Sequence, residues 1–315
     1  MKKTTLVWLL KKPSRLCGVF FQKLVARDKL RWVPDRMYLK LRYRHMVGKK
    51  LDLRNPTTLN EKLQWLKLNN RNPDDCQLVD KYEVRAYIEE KLGAEYLIPL
   101  LGVWDRPEDI DFENLPQQFV LKCTHDSGSV ILCKDKSAFN INQAIDKLNK
   151  KIKHNLFWEG REWPYKNLKP KVIAEAYMEN DDGSDLIDYK FFCFNGRPEM
   201  VYVSQGLSDH STAHISYVSM DWKQEPFRRS DFAVFETIPD KPMNFEKMVN
   251  FSKKLSARHP FVRIDFYEIS GKLYFSEITF YPGSGYTEFT PDEWNYYWGQ
   301  RLELPGHVAE DKSRK

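Results

Sequence analysis

The amino-acid sequence lacks the long hydrophobic run of a membrane protein, because no apolar stretch approaches the roughly 20 residues that span a bilayer. Two short apolar runs lie within residues 1–34, but Lys11, Lys12 and Pro13 interrupt them. The same segment lacks the small-residue cleavage site that follows a secretory signal. We therefore expect neither a membrane-spanning helix nor a secretory leader.

Cysteine is also scarce, and its spacing argues against two common uses of this residue. The count is five, an odd number, and no pair has the C-x-x-C spacing of zinc and redox motifs. Reduced thiols are typical of cytoplasmic proteins. The sequence therefore predicts a cytoplasmic protein with free thiols at Cys17, Cys76, Cys123, Cys133 and Cys193.

Acidic residues are almost absent from the first 50 residues, which contain 15 Lys and Arg residues but only Asp28 and Asp35. The rest of the chain reverses this balance, with 35 basic and 42 acidic residues. A mildly acidic main body argues against a general nucleic-acid binder, so we expect no nucleic-acid partner. For residues 1–34 the alternatives are peripheral contact with an anionic membrane surface and an ordinary packed helix.

No internal repeat or low-complexity segment interrupts the chain, and helical and strand patterns alternate along it. Leucines at helical spacing predict a helix over 55–68, capped by Thr58 or Asn60. The residues from Thr290 to Glu293 have the pattern of a capping box. The mixture predicts an α+β fold with mainly antiparallel sheets. Its further predicted helices cover 80–93, 137–153 and 244–258, and its strands 118–124, 171–179, 188–204, 213–222 and 261–279.

The segment FVRIDFYEISGKLYFSEITFYPGSG, residues 261–285, combines a β-hairpin pattern with charged residues and ends in a glycine-rich loop. Because side chains alternate along a strand, Arg263 and Asp265 share one face. Asp265 lies opposite Glu277 if the hairpin has a three-residue loop, 270–272. Two facing carboxylates repel each other, so this register requires a cation between them. A solvated strand face is the alternative interpretation.

Lys122 stands in a strand pattern whose other residues are apolar. Because desolvating an ammonium group is costly, Lys122 must either reach solvent or meet an anion. The polar loop 125–129, with the sequence HDSGS, follows at once. Such loops can turn backbone N–H groups onto phosphate oxygens, although a plain hairpin turn explains the loop as well.

Two further predicted strands carry isolated charges. Glu175 lies among apolar residues near a strand end, where free backbone groups can bind an adenine edge and the carboxylate can accept from its amine. A surface salt bridge is the alternative for Glu175. Asp188 and Lys190 share a strand face, on which a cation could meet phosphate. A solvated antiparallel face explains this pair equally well.

Taken in order, FVLKCTHDSGS, AEAYMEN, DYKFFCFNG and VRIDFYEISGKLYFSEITFYPGSG resemble the ATP-grasp superfamily. NEKLQWLKL, DKYEVRAYI, GREWPYKN and FTPDEW resemble the TupA-like ATP-grasp family of cell-surface polysaccharide biosynthesis. The resemblance covers roughly residues 35–305 and implies two α+β subdomains that clasp ATP, preceded by a helical N-terminal region. The implied parts are a basic segment at 1–34, a helical region at 35–115 and a lid subdomain at 116–180. They are followed by a C-terminal subdomain with the metal site at 181–305 and a tail at 306–315.

The resemblance also implies ATP and Mg²⁺ as cofactors and assigns roles to individual residues. The expected nucleotide-binding residues are Lys122, His125, Ser127, Gly128, Ser129, Glu175, Ala176, Tyr177, Met178, Asp182, Lys190 and Arg263. The expected Mg²⁺ ligands are Asp265, Glu277 and Thr279, and the expected catalytic residues are Arg263, Lys122 and Gly283. Lys81 is a further candidate for a phosphate contact.

Two residues depart from the superfamily pattern. Thr279 stands where an asparagine is usual, and a hydroxyl oxygen is a weaker Mg²⁺ ligand than an amide carbonyl. Asp126 stands in the lid loop where glycine is common. A carboxylate beside triphosphate is repulsive unless it points away or helps to hold metal.

The reaction implied by the resemblance is ATP-dependent joining of a carboxylate to an amine through an acyl phosphate. We expect an acidic sugar or polysaccharide precursor as acceptor and an amine or amino acid as its partner. Residues 157–167, with Arg161, Trp163 and Lys166, are a candidate acceptor-recognition segment, with a surface loop as the alternative. A glycosyltransferase using the acidic segment 181–188, a sugar kinase on the same fold and a membrane-surface scaffold are the rival functions. No Rossmann-type glycine fingerprint supports the glycosyltransferase.

Overall fold

The computed structural model describes residues 24–25, 29–126, 128–207 and 212–307. The predictions for Ser127, for most of residues 1–34 and for 308–315 lie outside the described residues. No described helix is both long enough and apolar enough to cross a membrane. The subdomain boundaries proposed above stay a prediction.

The N-terminal part is helical. Thr58 begins the second helix with a complete capping box, in which its hydroxyl accepts from the Glu61 N–H and the Glu61 carboxylate accepts from the Thr58 N–H. This confirms Thr58 as the cap, while the Asn60 side chain donates to Thr287 O at 2.8 Å. The helices are α1 (Asp35–Met46), α2 (Leu59–Asn69), α3 (Asp75–Val79) and α4 (Val84–Lys91).

An antiparallel four-stranded sheet follows, in the order β1-β4-β2-β3. Its strands are β1 (Leu100–Trp104), β2 (Phe119–Cys123), β3 (Ile131–Cys133) and β4 (Val172–Ala176). Helix α5 (Ile141–Ile152) packs the buried Leu148 against the core of this sheet, and α6 (Leu156–Gly160) follows it. The sequence did not predict β1, because its five residues, LLGVW, have no alternation of polar and apolar side chains.

The second sheet has five antiparallel strands in the order β7-β6-β5-β8-β9. These are β5 (Ile187–Phe194), β6 (Arg197–Gln205), β7 (His214–Ser219), β8 (Phe261–Ile269) and β9 (Lys272–Thr279). Helices α7 (Phe245–Ser256) and α8 (Glu293–Arg301) contribute buried residues to the large core of this sheet. The α+β class with antiparallel sheets is thus confirmed.

The start of α8 differs from its prediction. Asp292 precedes the helix without a side-chain cap, so the predicted capping box is wrong. The backbone of Thr290 instead pairs with that of Arg228, through N···O distances of 2.8 and 3.0 Å. Because of this pairing, Thr290 lies outside the helix, and its hydroxyl does not cap the first turn of α8.

Candidate active site

One face of the five-stranded sheet carries a continuous row of polar and aromatic side chains. Directly paired residues on neighbouring strands project to the same face. The row therefore crosses the whole sheet, with a charged half on β9, β8 and β5 and an aromatic half on β6 and β7. Its members are Glu277, Asp265, Lys190, Tyr202 and Tyr217, each paired with the next.

Asp265 pairs with Glu277 as the sequence predicts, but the predicted three-residue loop is wrong. The turn contains two residues, 270–271, both with positive φ. The register shifts between Asp265 and Phe266, so that Ser276 is an extra residue in β9. This β-bulge returns Glu277 to the face of Asp265, which a two-residue turn alone would not do.

Arg263 lies between the two acids and makes a planar, charge-assisted contact with each. Its Nε and Nη2 donate to Asp265 Oδ1 and Oδ2 at 2.7 and 2.6 Å. Nη2 also donates to Glu277 Oε1 at 2.6 Å and to Thr279 Oγ1 at 3.1 Å. The cation that this register requires is therefore present in the structure as a guanidinium group.

Lys190 extends the network on the other side of Asp265. Its Nζ lies 3.3 Å from Asp265 Oδ2 and 2.8 Å from Asp188 Oδ1. Asp188 and Lys190 share a face as predicted, but both are buried rather than solvated. The face therefore holds three acids and two cations in contact, which is the compensation that buried charges require.

The two paired acids differ in how readily they take up a proton. Burial raises the pKa of Asp265 to about 6, although Arg263 and Lys190 act in the opposite direction. Burial also acts to raise the pKa of Glu277, but the charges of Arg263, Lys81 and Lys190 outweigh it and lower the value to about 2. Glu277 is thus the more strongly ionised member of the pair at neutral pH.

The residues at this face match the chemistry that Mg²⁺ requires. Magnesium is usually held by one or two carboxylates together with phosphate and water oxygens. Asp265, Glu277 and the hydroxyl of Thr279 offer oxygen ligands on adjacent strands. Among the described residues, no group of three or more His, Cys, Asp and Glu side chains is placed to hold a metal by itself. A site here must therefore draw further ligands from phosphate and water.

On the four-stranded sheet, Lys122 meets an anion rather than solvent. Its Nζ lies 2.6 Å from Glu175 Oε2, across the β2–β4 pair. Arg85 of α4 approaches Glu175 from the other side, with Nη1 3.6 Å from Oε1. The sequence assigned Lys122 to phosphate and Glu175 to adenine separately, and the structure brings the two together in one salt bridge.

The loop after β2 is held mainly by its own polar groups. The hydroxyl of Ser129 donates to Asp126 Oδ1 at 2.5 Å and accepts from the Cys123 N–H at 2.8 Å. Asp126 is 5% exposed, so its carboxylate points into the loop and not towards solvent. Lys81 Nζ donates to Asp126 O at 2.6 Å, which ties the loop to the segment before α4. Gly128, with φ of 88°, is exposed at the tip.

His125 is buried at the base of the same loop. Its Nε2 lies 2.7 Å from His154 O, and its Nδ1 has no hydrogen-bond partner among the described residues. Burial lowers the pKa of His125 below its ordinary value, so the ring is neutral at physiological pH. A neutral imidazole offers a hydrogen bond rather than a charge to a phosphate.

The remaining nucleotide-binding candidates lie at and beyond the end of β4. Ala176 is the last residue of the strand, and its N–H donates to Pro99 O at 2.9 Å. Tyr177 and Met178 follow it and are half-buried. Asp182 is exposed in the loop before β5, where its Oδ1 accepts from the Ser184 N–H at 2.9 Å. Asp182 is thus part of a local turn.

The glycine-rich segment ends the hairpin in a short turn, Pro282–Gly285. Gly283 has φ of 54°, and a Cβ atom there would lie 2.2 Å from the hydroxyl of Thr287. The N–H of Ser284 donates to Tyr281 O at 2.7 Å. The N–H of Ser284 is therefore engaged within the turn.

Sequence reasoning missed Lys67 of α2, which is fully buried behind this turn. Its Nζ donates to Gly160 O and Ser284 O at 2.8 Å and to Ser284 Oγ at 3.0 Å. Burial lowers the pKa of Lys67 to about 7, while the nearby carboxylate of Glu162 acts to raise it. A lysine at this position of a helix is usually exposed, so the helical sequence pattern did not indicate that Lys67 is buried.

The prediction that Arg161 recognises an acceptor is wrong. Arg161 is 1% exposed, and its Nη2 donates to Leu30 O at 2.7 Å. Its guanidinium group stacks on Tyr38 at 4.3 Å and lies 3.5 Å from a carboxylate oxygen of Asp35. It therefore joins α1 to the segment after α6 and has no exposed surface for a substrate.

A small cleft opens beside the row, between the five-stranded sheet, the start of α2 and the segment 282–289. Arg263 and Gly283 contribute to its wall, so the cleft adjoins the charged half of the row. Its lining is mixed and includes the aromatic Phe192, Tyr202, Tyr217 and Phe289 and the polar Asn60, Thr287 and Arg229. Its volume is about 30 Å³, which is enough for one or two water molecules.

These features accord with a known family. The model of the TupA-like ATP-grasp family matches residues 61–303, and the chain belongs to that family. It is an ATP-grasp enzyme, with ATP and Mg²⁺ as cofactors. The resemblance, the fold class and the cofactors expected from the sequence are thereby confirmed. No curated protein matches the sequence.

Solved structures give distant similarities. The chain is 15% identical to a D-alanine–D-alanine ligase from Helicobacter pylori, with a TM-score of 0.42, over 78% of this chain and 69% of that one. An L-amino acid ligase from Bacillus licheniformis is 13% identical, with a TM-score of 0.40, over 81% of this chain and 55% of that one. A D-alanine–D-alanine ligase from Bacillus anthracis, complexed with ATP, is 14% identical, with a TM-score of 0.36, over 64% of this chain and 54% of that one. The chain spans little more than half the length of the last two.

Proposed function

We propose that this protein is an ATP- and Mg²⁺-dependent carboxylate–amine ligase that joins an amine or amino acid to an acidic sugar or polysaccharide precursor. The observation that carries the proposal is the contact network of Arg263, Lys190 and three acids on one sheet face. Phosphoryl transfer needs positioned charge rather than a protein nucleophile, and this network supplies both signs of charge.

The proposed nucleotide site lies between the two sheets. When ATP binds, Lys122 leaves its salt bridge with Glu175 and contacts the α- and β-phosphates. Glu175 and the backbone of 176–178 then bind the adenine, with the carboxylate accepting from its amine. The loop at 125–129 covers the phosphates through backbone N–H groups, because the side chains of Asp126 and Ser129 bond each other. Lys190 is the second phosphate cation.

Asp265 and Glu277 hold Mg²⁺ at the other end, with the hydroxyl of Thr279 as a weak third ligand. Bound Mg²⁺ neutralises the charge that develops on the β- and γ-phosphates. This arrangement requires Arg263 to leave one or both acids. Its guanidinium group then turns to the transferred phosphoryl group, which offers the same planar pair of acceptor oxygens as a carboxylate.

The proposed reaction has two steps. An acceptor carboxylate oxygen attacks the γ-phosphorus, the bond from that phosphorus to the β–γ bridging oxygen breaks, and ADP leaves. The nitrogen of the amine then attacks the acyl carbon, the carbon–oxygen bond to phosphate breaks, and inorganic phosphate leaves. The amine loses a proton to solvent, and an amide remains. Gly283 contributes its backbone N–H to the oxyanion of the second step.

The reaction test is incubation of the protein with ATP, Mg²⁺, candidate uronic acids and amino acids. Formation of ADP together with an amide product supports the proposal. ADP with a phosphorylated sugar hydroxyl would instead identify a sugar kinase, and turnover only with a nucleotide sugar would identify a glycosyltransferase. Asp265→Asn is the matched variant, because it retains the shape of the side chain and removes the metal-binding charge. It should abolish metal-dependent ATP binding in a folded protein.

We also propose that residues 1–34 bring the enzyme to an anionic membrane surface. The described end of this segment carries Trp32, which is 81% exposed, and leads into α1, on which Met37 is 56% exposed. Arg36, Lys40 and Arg44 are exposed on the same helix. Exposed apolar groups among basic ones are typical of segments that lie at the interface of an anionic bilayer.

Vesicle sedimentation tests the membrane proposal. The full chain should sediment with vesicles that contain phosphatidylglycerol and stay in solution with vesicles of phosphatidylcholine alone. Trp32→Ser combined with Met37→Ser should weaken the binding, whereas Met243→Ser, at a methionine that is 81% exposed and lies far along the chain, should not. Equal binding to both vesicle types, or no binding, would contradict the proposal.

A further inference from the structure

A wide groove runs along the outer edge of the four-stranded sheet, between strand β3 and helix α5. Its volume is about 880 Å³, which lies within the range of ligand-binding pockets. Strand β3 is the last in the order β1-β4-β2-β3, so no further described strand of the sheet fills this edge. The half-buried ring of Phe139 lines the groove and packs on Phe119 at 5.2 Å between ring centroids. The groove is therefore large enough for a ligand and separate from the residues of the candidate active site.

The lining of the groove carries a net positive charge. It contains two acids, Asp135 and Asp146, and four lysines, Lys134, Lys147, Lys150 and Lys151. Three of these lysines occupy positions i, i+3 and i+4 of α5, so they project from one side of the helix. Lys147 Nζ donates to Val130 O at 2.8 Å, and its ammonium group retains two further donors. The lysines thus present several separate positive charges along the groove, which favours a ligand with several separate negative charges.

Neutral hydrogen-bonding groups line the same groove. Asn140 Oδ1 accepts from the Gln143 N–H at 2.9 Å at the start of α5, and the side-chain NH₂ group of Asn140 supplies two donors. The side chain of Gln143 is exposed in the same lining. Amides pair with hydroxyl groups, and an aromatic ring such as that of Phe139 packs against the apolar face of a sugar. Ammonium, amide and aromatic groups together match the chemistry of an acidic saccharide.

The groove leads to the proposed nucleotide site. Helix α5 contains 12 residues and is therefore about 18 Å long, which exceeds the length of a single sugar ring. Near its C-terminal end, Lys151 approaches the loop after β2, because a Cβ atom on Gly128 would lie 3.7 Å from Lys151 Nζ. The same loop is proposed to cover the phosphates of ATP. One end of a saccharide chain in the groove therefore lies beside a loop that adjoins the reaction centre.

We propose that this groove binds an anionic oligosaccharide chain, whose terminal acidic sugar is the acceptor of the reaction. The proposal rests on the proposed function, in which the acceptor is an acidic saccharide. The carboxylates of the chain pair with the lysines of the groove, its hydroxyl groups bond the amides of Asn140 and Gln143, and one sugar ring packs on Phe139. Lysine suits this role, because its ammonium group is a compact charge on a flexible stem and can follow carboxylates spaced along a chain.

Isothermal titration calorimetry on the full chain, without ATP or Mg²⁺, tests the proposal. The probes are an oligomer of galacturonic acid, a neutral maltose oligomer of the same length, and monomeric galacturonic acid. The acidic oligomer should bind at least roughly tenfold more tightly than either of the others, because several charged contacts act together. Added salt should weaken its binding, since exposed charges are screened. Equal affinity for the acidic and neutral oligomers, or no binding of the acidic oligomer, would overturn the proposal.

The central variant combines Lys147→Gln with Lys150→Gln, because both side chains are exposed on α5. It should weaken the binding of the acidic oligomer by roughly three- to tenfold and leave the affinity for ATP unchanged. Lys247→Gln combined with Lys253→Gln removes the same charge from exposed positions of α7 and is the matched control. An equal loss in both variants would show that net charge, and not the groove, binds the oligomer.

Vesicles that contain phosphatidylglycerol separate a saccharide partner from a membrane. The central variant should bind these vesicles as the unsubstituted chain does. If it lost vesicle binding but kept oligomer binding, the lysines would contact a membrane and the proposal would be wrong. Since no turnover is measured, absence of amide formation would count against the proposed reaction and not against this groove.

Discussion

The two sheets both carry buried acids, but they compensate those charges in different ways. In the five-stranded sheet, the cations that contact Asp265 are Arg263 and Lys190, from the same strand and its neighbour. In the four-stranded sheet, Glu175 contacts Lys122 from the neighbouring strand and Arg85 from helix α4. The first network is therefore set by strand register alone. The second depends also on how a helix packs against the sheet.

This difference separates two kinds of functional defect. A substitution within the five-stranded network should impair chemistry while leaving the arrangement of helices unchanged. A substitution in the network around Glu175 should act on nucleotide affinity, and its effect should depend on whether the lost cation comes from the strand or the helix.

The largest effect is expected for Arg263→Met. Loss of the guanidinium should lower kcat for ADP formation by roughly 10²–10³-fold, because a preorganised charge at the transferred group is lost. Steady-state kinetics with saturating ATP measure this. Arg197→Met, on β6 of the same sheet, is the control, since Arg197 is 70% exposed and 3.9 Å from Glu199. A comparable loss in the control would mean that the effect comes from the sheet and not the site.

A smaller effect on ATP affinity is expected for Lys122→Met. The KM for ATP should rise by roughly tenfold or more through loss of a charged phosphate contact, with less effect on kcat. Arg85→Met removes the helix cation at the same acid and should raise KM by less, because Arg85 has no proposed phosphate contact. If Arg85→Met has the larger effect, the contrast between strand and helix cations is wrong.

Lys67→Met should affect stability more than catalysis. The substitution leaves the carbonyl oxygens of Gly160 and Ser284 without their lysine donor, which we expect to cost about 1–3 kcal/mol of unfolding free energy. Thermal unfolding followed by circular dichroism measures the loss. Lys40→Met on α1, where the lysine is exposed, should leave the midpoint unchanged. An unchanged midpoint for Lys67→Met would show that its hydrogen bonds contribute no net stability.

The smallest effect is expected for Thr279→Asn. An amide carbonyl is a better Mg²⁺ ligand than a hydroxyl, so half-maximal activation should require roughly two- to fivefold less Mg²⁺. Titration of ADP formation with Mg²⁺ measures this shift. Thr279→Val removes the ligand without replacing it and should move the requirement the other way. If both variants shift it in the same direction, Thr279 is not a ligand.

Much of the fold was predictable because its signals are local. The leucine spacing and Thr58 located α2, and Asn195–Gly196, with φ of 50° and 78°, has the composition that favours the tight turn it forms between β5 and β6. The pairing of Asp265 with Glu277 was predicted through a three-residue loop, whereas the structure reaches it through a two-residue turn and the bulge at Ser276.

The remaining features depend on contacts that lie far apart in sequence. Arg161 has the composition of a binding residue, but its burial depends on Tyr38 and Asp35, more than 100 residues earlier. Lys67 is buried because the 282–285 turn covers it. Arg229 carries no motif, and the neighbouring Arg228 pairs with Thr290, 62 residues later in the chain.

Because of the bulge at Ser276, the face on which Glu277 lies depends on whether the number of residues between the bulge and the turn is odd or even. If one residue is added to or removed from the segment between the bulge and the 270–271 turn, every later side chain of β9 changes face, and Glu277 leaves the reaction centre. Two residues added together restore the alternation and lengthen only the tip. Sequence variation at this tip should therefore occur in even steps, which makes hairpin length an indicator of whether a related chain retains Glu277, the proposed Mg²⁺ ligand, on the face of Asp265.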